Sequence, residues 1–292
     1  MMQEKAYAKI NLNLHVTGKR EDGYHLLDSL VVFPDVGDYV TIMPVDSEHV
    51  DLVSLQMTGP FFGSLQHEDL KNNLIVKAAY QLATYADKDL PPVKLCLEKN
   101  LPVASGIGGG SSDAAATLRL LINYWDINIS QQDLAQMALK LGADVPVCLT
   151  PVAQRMEGIG ETLSFLPEMP QFGMVLVNHG EAVSTAEIFR KREAHFSGYI
   201  ESITELNNFE SLIGELSKLT NDLQPPACAL NPKITTVLQA IEKLPLCRLS
   251  RMSGSGATCF GLFETAQQAS YAADLLAQRY PWWIWGGEGN VK

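Results

Sequence analysis

The chain has 292 residues, 46% hydrophobic and 19% charged, with 22 basic against 33 acidic side chains for a net charge of −11. A chain of this size buries a core without needing disulfides or metal and spans about two domains, and it lacks the low-hydrophobicity, high-charge signature of disorder. The acidic balance argues against a nucleic-acid binder, which presents a basic face, and no apolar run approaches the roughly 18 residues of a spanning helix, so neither nucleic acid nor membrane is predicted as a partner.

Residues 6–16 alternate apolar with polar at period two, with Ile10, Leu12, Leu14 and Val16 on one face and Lys9, Asn11, Asn13 and His15 on the other. That pattern predicts one half-buried strand with a usable polar face. The first twenty residues contain Lys5, Lys9, Lys19 and Arg20 but no apolar stretch, so no secretory leader is predicted. Residues 18–23 carry turn chemistry, 25–32 read as extended, and 39–43 and 50–55 as short strands. A helix is predicted over 72–83 from the spacing of Leu74, Ala78 and Leu82, and a strand over 93–97. Helices follow over 114–125 and 132–141, the second with Ser130 and Asp133 spaced as a capping box and Gly142 as its stop. Beyond about 155 the pattern changes to strands over 174–177 and 259–263 and helices over 210–219, 234–244 and 266–279. Strands first and helices later predict an α+β fold rather than a regular βαβ repeat, divided into 1–155 and 156–292. Trp282, Trp283 and Trp285 are assigned to the core. The five cysteines are scattered and odd in number with no C-x-x-C pair, which predicts a reduced, cytoplasmic chain.

The strongest chemical signal is the run Pro102, Val103, Ala104, Ser105, Gly106, Ile107, Gly108, Gly109, Gly110, Ser111, Ser112, which feeds directly into a helix. Glycines let the backbone approach a ligand closely, and a helix start supplies unpaired N–H groups and the positive end of the dipole. Together they make an anion cradle, with Ser105, Ser111 and Ser112 as hydroxyl donors. It is neither a Walker loop, lacking G-x-x-x-x-G-K-[ST], nor a dinucleotide fingerprint, since Ser111 stands at the third glycine. Asp144, just before Val145-Pro146, has two readings: a cap for the next turn, or a general base that deprotonates an attacking hydroxyl. Lys9 is either a solvated strand residue or the partner that keeps such a carboxylate ionised and steadies phosphoryl charge. The small-residue turn Ser253-Gly254-Ser255-Gly256-Ala257 is a hairpin turn or a close backbone approach to the same ligand. Tyr24-His25 is packing or recognition. The six histidines have no metal-ligand spacing, and no G-x-S-x-G elbow occurs.

Ala8-Lys9-Ile10-Asn11-Leu12, then 102–112, then Met252-Ser253-Gly254-Ser255-Gly256-Ala257 fall in the order of the three motifs of GHMP kinases, and the chain resembles that family over nearly its whole length. Asp22-Gly23-Tyr24-His25, Asn73-Leu74-Ile75-Val76, Gly142-Ala143-Asp144-Val145-Pro146-Val147, Glu157-Gly158-Ile159-Gly160-Glu161 and Asn221-Asp222-Leu223 are similar to its members that act on a cytidine-diphosphate alcohol. The resemblance implies a ribosomal-S5-like N-terminal domain that holds ATP and a ferredoxin-like C-terminal domain. It implies ATP-dependent phosphorylation of the 2-hydroxyl of 4-diphosphocytidyl-2-C-methyl-D-erythritol, in the non-mevalonate isoprenoid pathway. By motif position it makes Asp144 the base, Lys9 its partner, 102–112 the ATP phosphate loop and Asn73 a further nucleotide contact. It sets Tyr24 and Phe189 where rings stack on cytosine, His25 where the cytosine edge is read, and Asn11 and Thr185 near the substrate. Magnesium is expected to arrive with ATP, with no protein ligand assigned, and the chain is expected to act as a monomer or weak homodimer. Two stretches depart from the family pattern: Ala104-Ser105, where Gly-Gly or Ala-Ala is common, and Thr150-Pro151-Val152-Ala153, which replaces a glycine-containing turn. Three other readings stay open: a GHMP kinase acting on homoserine, mevalonate or a sugar, a non-catalytic nucleotide-binding module, and a dinucleotide oxidoreductase. Tyr24-His25 with Phe189 favours the cytidine-bearing substrate over the first of these.

Overall fold

The alternating run at 6–16 is divided among three strands, Met2–Tyr7, Ile10–Asn11 and His15–Lys19, in a computed structural model that describes residues 2–45, 51–66, 69–166, 168–193, 195–200 and 206–291. Its polar positions are not an open face, because Lys9, Asn11 and Asn13 are 3%, 1% and 0% exposed. Side-chain hydrogen bonds make that burial tolerable. Asn13 Oδ1 accepts from the Leu30 N–H at 2.8 Å, Asn13 Nδ2 donates to Asp28 O at 3.2 Å, and Asn11 Nδ2 donates to the Ser29 hydroxyl at 2.7 Å. Asn13 thus stands in where the strand ladder is interrupted between Asn11 and His15.

The chain forms two compact units: Met1–Ala8 with Gly37–Val103 and Gly108–Thr150, and Lys9–Val36 with Ala104–Ile107 and Pro151–Lys292. These units interleave in sequence rather than following a cut at 155/156. Strand pairing is the reason: His25–Val32 pairs with Gln154–Gly158, which binds residues 9–36 to the later half of the chain.

In the first unit Met2–Tyr7, Gly37–Pro44, Val93–Glu98 and Val53–Thr58 form a four-stranded sheet in that order, antiparallel except for the last, parallel pair. The strand read at 50–55 is therefore Val53–Thr58, and Val50 lies outside the described residues. Helix Gly109–Tyr124 packs on Met2–Tyr7 and Gly37–Pro44 and buries Ala114, Ala115, Leu118 and Leu121. It starts five residues before the apolar stripe announces it, because Gly-Gly-Ser-Ser-Asp has weak helix propensity and no apolar side chain to mark a face. Helix Leu74–Ala86 lies beside it, and Gln131–Leu141 follows with Ser130 Oγ accepting from the Asp133 N–H at 3.0 Å.

In the second unit Leu249–Met252, Cys259–Phe263, Gly173–Asn178 and Trp283–Glu288 make an antiparallel four-stranded sheet in that order. Helices Lys233–Glu242 and Ala266–Ala277 cover it, and Val175, Val177, Phe263, Ile234, Ile241 and Ala272 share the buried cluster. Ile10–Asn11, His15–Lys19, His25–Val32, Gln154–Gly158 and Thr162–Phe165 form the other, five-stranded sheet. The tryptophans are half-buried rather than core: Trp283 and Trp285 sit on an edge strand covered on one side, and Trp282 stacks on Tyr280 at 3.9 Å. Helix Gln224–Leu230 escaped the sequence reading because Pro225-Pro226 looks like a breaker, yet proline is tolerated in a first turn, where no intrahelical donor is needed. Among the described residues no helix is long and apolar enough to cross a membrane.

Candidate functional site

The candidate residues fall in both units, and each unit's share is built separately. In the first, Gly108 precedes helix Gly109–Tyr124 in the left-handed region at φ +64°, and no side chain caps the helix start. The Ser112 N–H already bonds to Gly108 O at 2.8 Å, and the N–H groups of Gly109, Gly110 and Ser111 stand at the positive end of the dipole with no cap from Gly108, which has no side chain. Gly109 and Gly110 are therefore helix rather than loop. The three serines do not contribute alike: Ser105 and Ser112 are buried, and the Ser112 hydroxyl faces Cys148 Sγ at 3.3 Å, which leaves Ser111 as the half-buried one.

Beneath this helix start lie three buried charges that the sequence reading missed. Lys99 Nζ donates to Asp38 Oδ2 and, at 2.7 Å, to Asp113 Oδ2. Burial drives the Asp113 carboxyl above its ordinary range, whereas for Lys99 the downward pull of burial is outweighed by Asp113 and Asp38, which hold its ammonium up. The only local signal was that Lys99 and Asp113 bracket the glycine run, because Asp38 is far away in sequence.

Asp144 occupies the N-cap position of the short helix Val145–Cys148, but its side chain makes no cap hydrogen bond. The capping reading is thus not realised, and the carboxylate is half-buried. Asn73 is the N-cap of Leu74–Ala86, its Oδ1 accepting from the Ile75 N–H at 2.9 Å, so a nucleotide contact there falls to the Nδ2 donors. A groove of about 510 Å³ elsewhere in this unit, lined by Tyr80, Tyr85, Met137 and Lys140 among others, contains none of the candidate residues.

In the second unit the first and third motifs meet the middle of the glycine run. The Lys9 N–H donates to Ile107 O at 2.8 Å, and the Lys9 side chain is buried, which excludes the solvated-residue reading. The Asn11 N–H donates to Ser253 Oγ, and Ser253 Oγ to Gly106 O, each at 3.1 Å. The Thr258 N–H donates to Ser105 O at 3.0 Å. Asn221 Nδ2 donates to Met252 O at 2.7 Å and Gly254 O at 2.8 Å, which fixes the third-motif turn and gives Asn221 a structural task. At Gly254 an added Cβ would sit 2.8 Å from Gly106 O, so that glycine serves close backbone packing against the run. Ala104 takes φ +51°, a left-handed conformation that suits glycine, so the backbone is strained there. Asn11 Oδ1 is buried with no hydrogen-bond partner among the described residues, an acceptor that a ligand hydroxyl would satisfy.

His25, at the start of His25–Val32, stacks on Phe189 of helix Thr185–Lys191 with ring centroids 4.6 Å apart and planes 20° off parallel. Tyr24 is 60% exposed. Thr185 Oγ1 lies 2.8 Å from Ser255 Oγ, which ties that helix to the third motif. The segment after it is also tied down. Asp28, fully buried, accepts from Arg155 Nε at 2.9 Å, from Arg155 Nη2 at 2.7 Å and from the Ile200 N–H at 2.7 Å, a bidentate pair the sequence did not reveal. The Ser197 N–H adds a bond to Val16 O at 3.0 Å.

Burial, aided by Arg192 and Lys19, lowers the pKa of His25 below its ordinary 6.5. Its ring is neutral at pH 7 and presents one donor and one acceptor nitrogen. Because the folded value lies below the unfolded one, His25 costs stability as pH falls below 6.5 toward the folded value, and nothing at higher pH. An NMR titration of the imidazole signals is expected to place the His25 midpoint below 6.5, and a midpoint above it would contradict the stacked, partly desolvated ring.

Comparison with known proteins adds a family. The model described as GHMP kinases N terminal domain matches residues 73–151, and GHMP kinases C terminal matches residues 200–281. The chain is similar to the 4-diphosphocytidyl-2-C-methyl-D-erythritol kinase of Gluconacetobacter diazotrophicus, 47% identical over 290 residues that cover 98% of this chain and 94% of the relative. It is 49% identical to the kinase of the same name from Granulibacter bethesdensis over 284 residues, covering 97% and 92% of the two chains. A crystal structure of 4-(cytidine 5'-diphospho)-2C-methyl-D-erythritol kinase superposes with a TM-score of 0.81 at 31% identity, over 100% of both chains.

Proposed function

The chain belongs to the GHMP kinase family, and from that premise we propose that it is an ATP-dependent kinase that phosphorylates the 2-hydroxyl of 4-diphosphocytidyl-2-C-methyl-D-erythritol in the non-mevalonate isoprenoid pathway. The observation that carries the substrate is near-full-length identity of 47% and 49% to two kinases of that name. The uncapped helix start and the His25–Phe189 ring pair fit it chemically.

Phosphoryl transfer needs alignment and charge stabilisation more than covalent chemistry. The amides at the end of the 102–112 loop receive the triphosphate, and Asn73 adds a nucleotide contact. Asp144 orients the attacking hydroxyl and takes its proton, while the Lys9 ammonium offsets charge on the transferring group. The orphan Asn11 Oδ1 accepts from the substrate. The neutral imidazole of His25 reads the cytosine edge, with Tyr24 and Phe189 as the stacking rings and Thr185 at the rim. Phe189 now rests on His25, so stacking on the base would replace one aromatic contact by another. Magnesium neutralises triphosphate charge when bound. We propose that it arrives on the phosphates of ATP. The acidic balance argues against a nucleic-acid partner, and we propose a small-molecule enzyme of the cytoplasm that acts as a monomer or weak homodimer without a membrane partner.

The test is ADP release with a panel of alcohols, with the product followed by phosphorus NMR. Turnover is expected with the cytidine-diphosphate alcohol alone, with a new phosphomonoester signal. Equal turnover of homoserine, mevalonate or a sugar would overturn the substrate, and ATP binding without transfer to any acceptor would favour a regulatory module.

A further inference from the structure

The Asp38, Lys99 and Asp113 cluster has no part in the chemistry above, yet it lies directly against the nucleotide cradle. A Cβ built on Gly109 would sit 3.2 Å from Lys99 Nζ and 3.8 Å from Asp38 Oδ2. The Lys99 main chain is itself fixed, its N–H donating to Thr58 O at 2.8 Å and its carbonyl accepting from the Phe61 N–H at 3.1 Å. Asp38 Oδ1 accepts from the N–H groups of Asn100 at 2.6 Å and Leu101 at 2.8 Å, the two residues that lead into Pro102. Asp113 is the fifth residue of the helix that leaves the loop. One ammonium therefore ties the chain that enters the glycine run to the chain that leaves it.

Such a cluster is poorly suited to stability alone. Two carboxylates share one ammonium, and Asp113 Oδ1 is buried with no hydrogen-bond partner among the described residues. Replacing buried ionic groups by well-packed apolar ones is often neutral or stabilising, so the cluster's worth lies in the geometry it fixes.

We infer that Asp113 is a positioning residue for the phosphates of ATP: through Lys99 and Asp38 it sets where the N–H groups of Gly109, Gly110 and Ser111 point. The inference rests on the ATP reading above. Asp113→Leu fills similar volume but offers Lys99 no acceptor, whereas Asp113→Asn keeps one. Each variant is titrated with a non-hydrolysable ATP analogue by calorimetry, and both Michaelis constants are measured. The leucine variant is expected to weaken analogue binding and raise the KM for ATP about tenfold or more, the scale of a lost hydrogen bond to a charged group, with the KM for the alcohol within about twofold. The asparagine variant is expected to restore ATP affinity to within about threefold. A folded leucine variant with normal ATP affinity, parallel loss of both substrates, or an asparagine variant as weak as leucine would overturn it. If leucine does not fold, Asp113→Ser, too short to reach Lys99, is read the same way. Failure of both to fold beside a normal asparagine variant assigns the cluster to stability and also overturns the inference. An unmodified chain that binds no analogue would sink the kinase reading itself and take this role with it.

Discussion

Asp144→Asn is expected to lower kcat by about 10³-fold, within the range for loss of a general base, while ATP affinity and melting temperature stay near those of the unmodified chain. The amide has the shape of the carboxylate but cannot take the proton of the attacking hydroxyl. Ordinarily an Asp at an N-cap position also holds its helix, and its loss costs about 1 kcal/mol. Here the side chain makes no cap bond, and Val145, Pro146, Val147 and Cys148 are all buried, so packing holds the short helix. The substitution therefore removes no cap bond. The check is kcat by ADP release beside calorimetry with ATP. Turnover near that of the unmodified chain would remove Asp144 from the mechanism, and a matching loss of ATP affinity would recast it as a nucleotide ligand.

Legibility in the sequence followed the range over which each signal acts. Local signals were readable: Val93–Glu98 and Lys233–Glu242 appear where alternation and helical spacing put them, and the glycine run announces a helix start. Signals that need a distant partner were not. Asn11 and Asn13 looked like an open polar face because period two records polarity and not the Ser29, Asp28 and Leu30 groups to which they bond. Asp38 sits 61 residues from the lysine it pairs with, and Asp28 lies 127 residues from Arg155, so neither pair leaves a local pattern. The motif resemblance named Asp144 and Lys9, but only the structure decided against their bland readings, through a missing cap bond and a buried ammonium. The third motif's glycines looked ligand-directed or turn-forming; a Cβ on Gly254 would meet the Gly106 carbonyl and one on Gly256 the Met252 side chain, while a Cβ on Gly106 would meet the Gly256 backbone.

That last contact predicts opposite outcomes for one substitution at two glycines of the same run. Gly106→Ala is expected to destabilise the protein by roughly 2–5 kcal/mol, from a left-handed backbone cost of roughly 1–2 kcal/mol and an overpacking cost of roughly 1–3 kcal/mol. Gly106 has φ +74°, and an added Cβ would lie 2.6 Å from Gly256 O, 2.7 Å from Gly256 N and 2.7 Å from Ser253 O. All three are backbone atoms in a turn fixed by Asn221, so no flexible side chain can move aside. Gly110→Ala is the control. Its Cβ would meet only Leu74 Cδ1 at 3.7 Å, and in a helix alanine is favoured over glycine by about 1 kcal/mol. Denaturant unfolding should therefore show Gly106→Ala well below the unmodified chain and Gly110→Ala at or above it. Equal stability of the two variants would mean that the second and third motifs are not packed backbone to backbone. The loop would then owe its shape to something other than the Ser253–Gly256 turn.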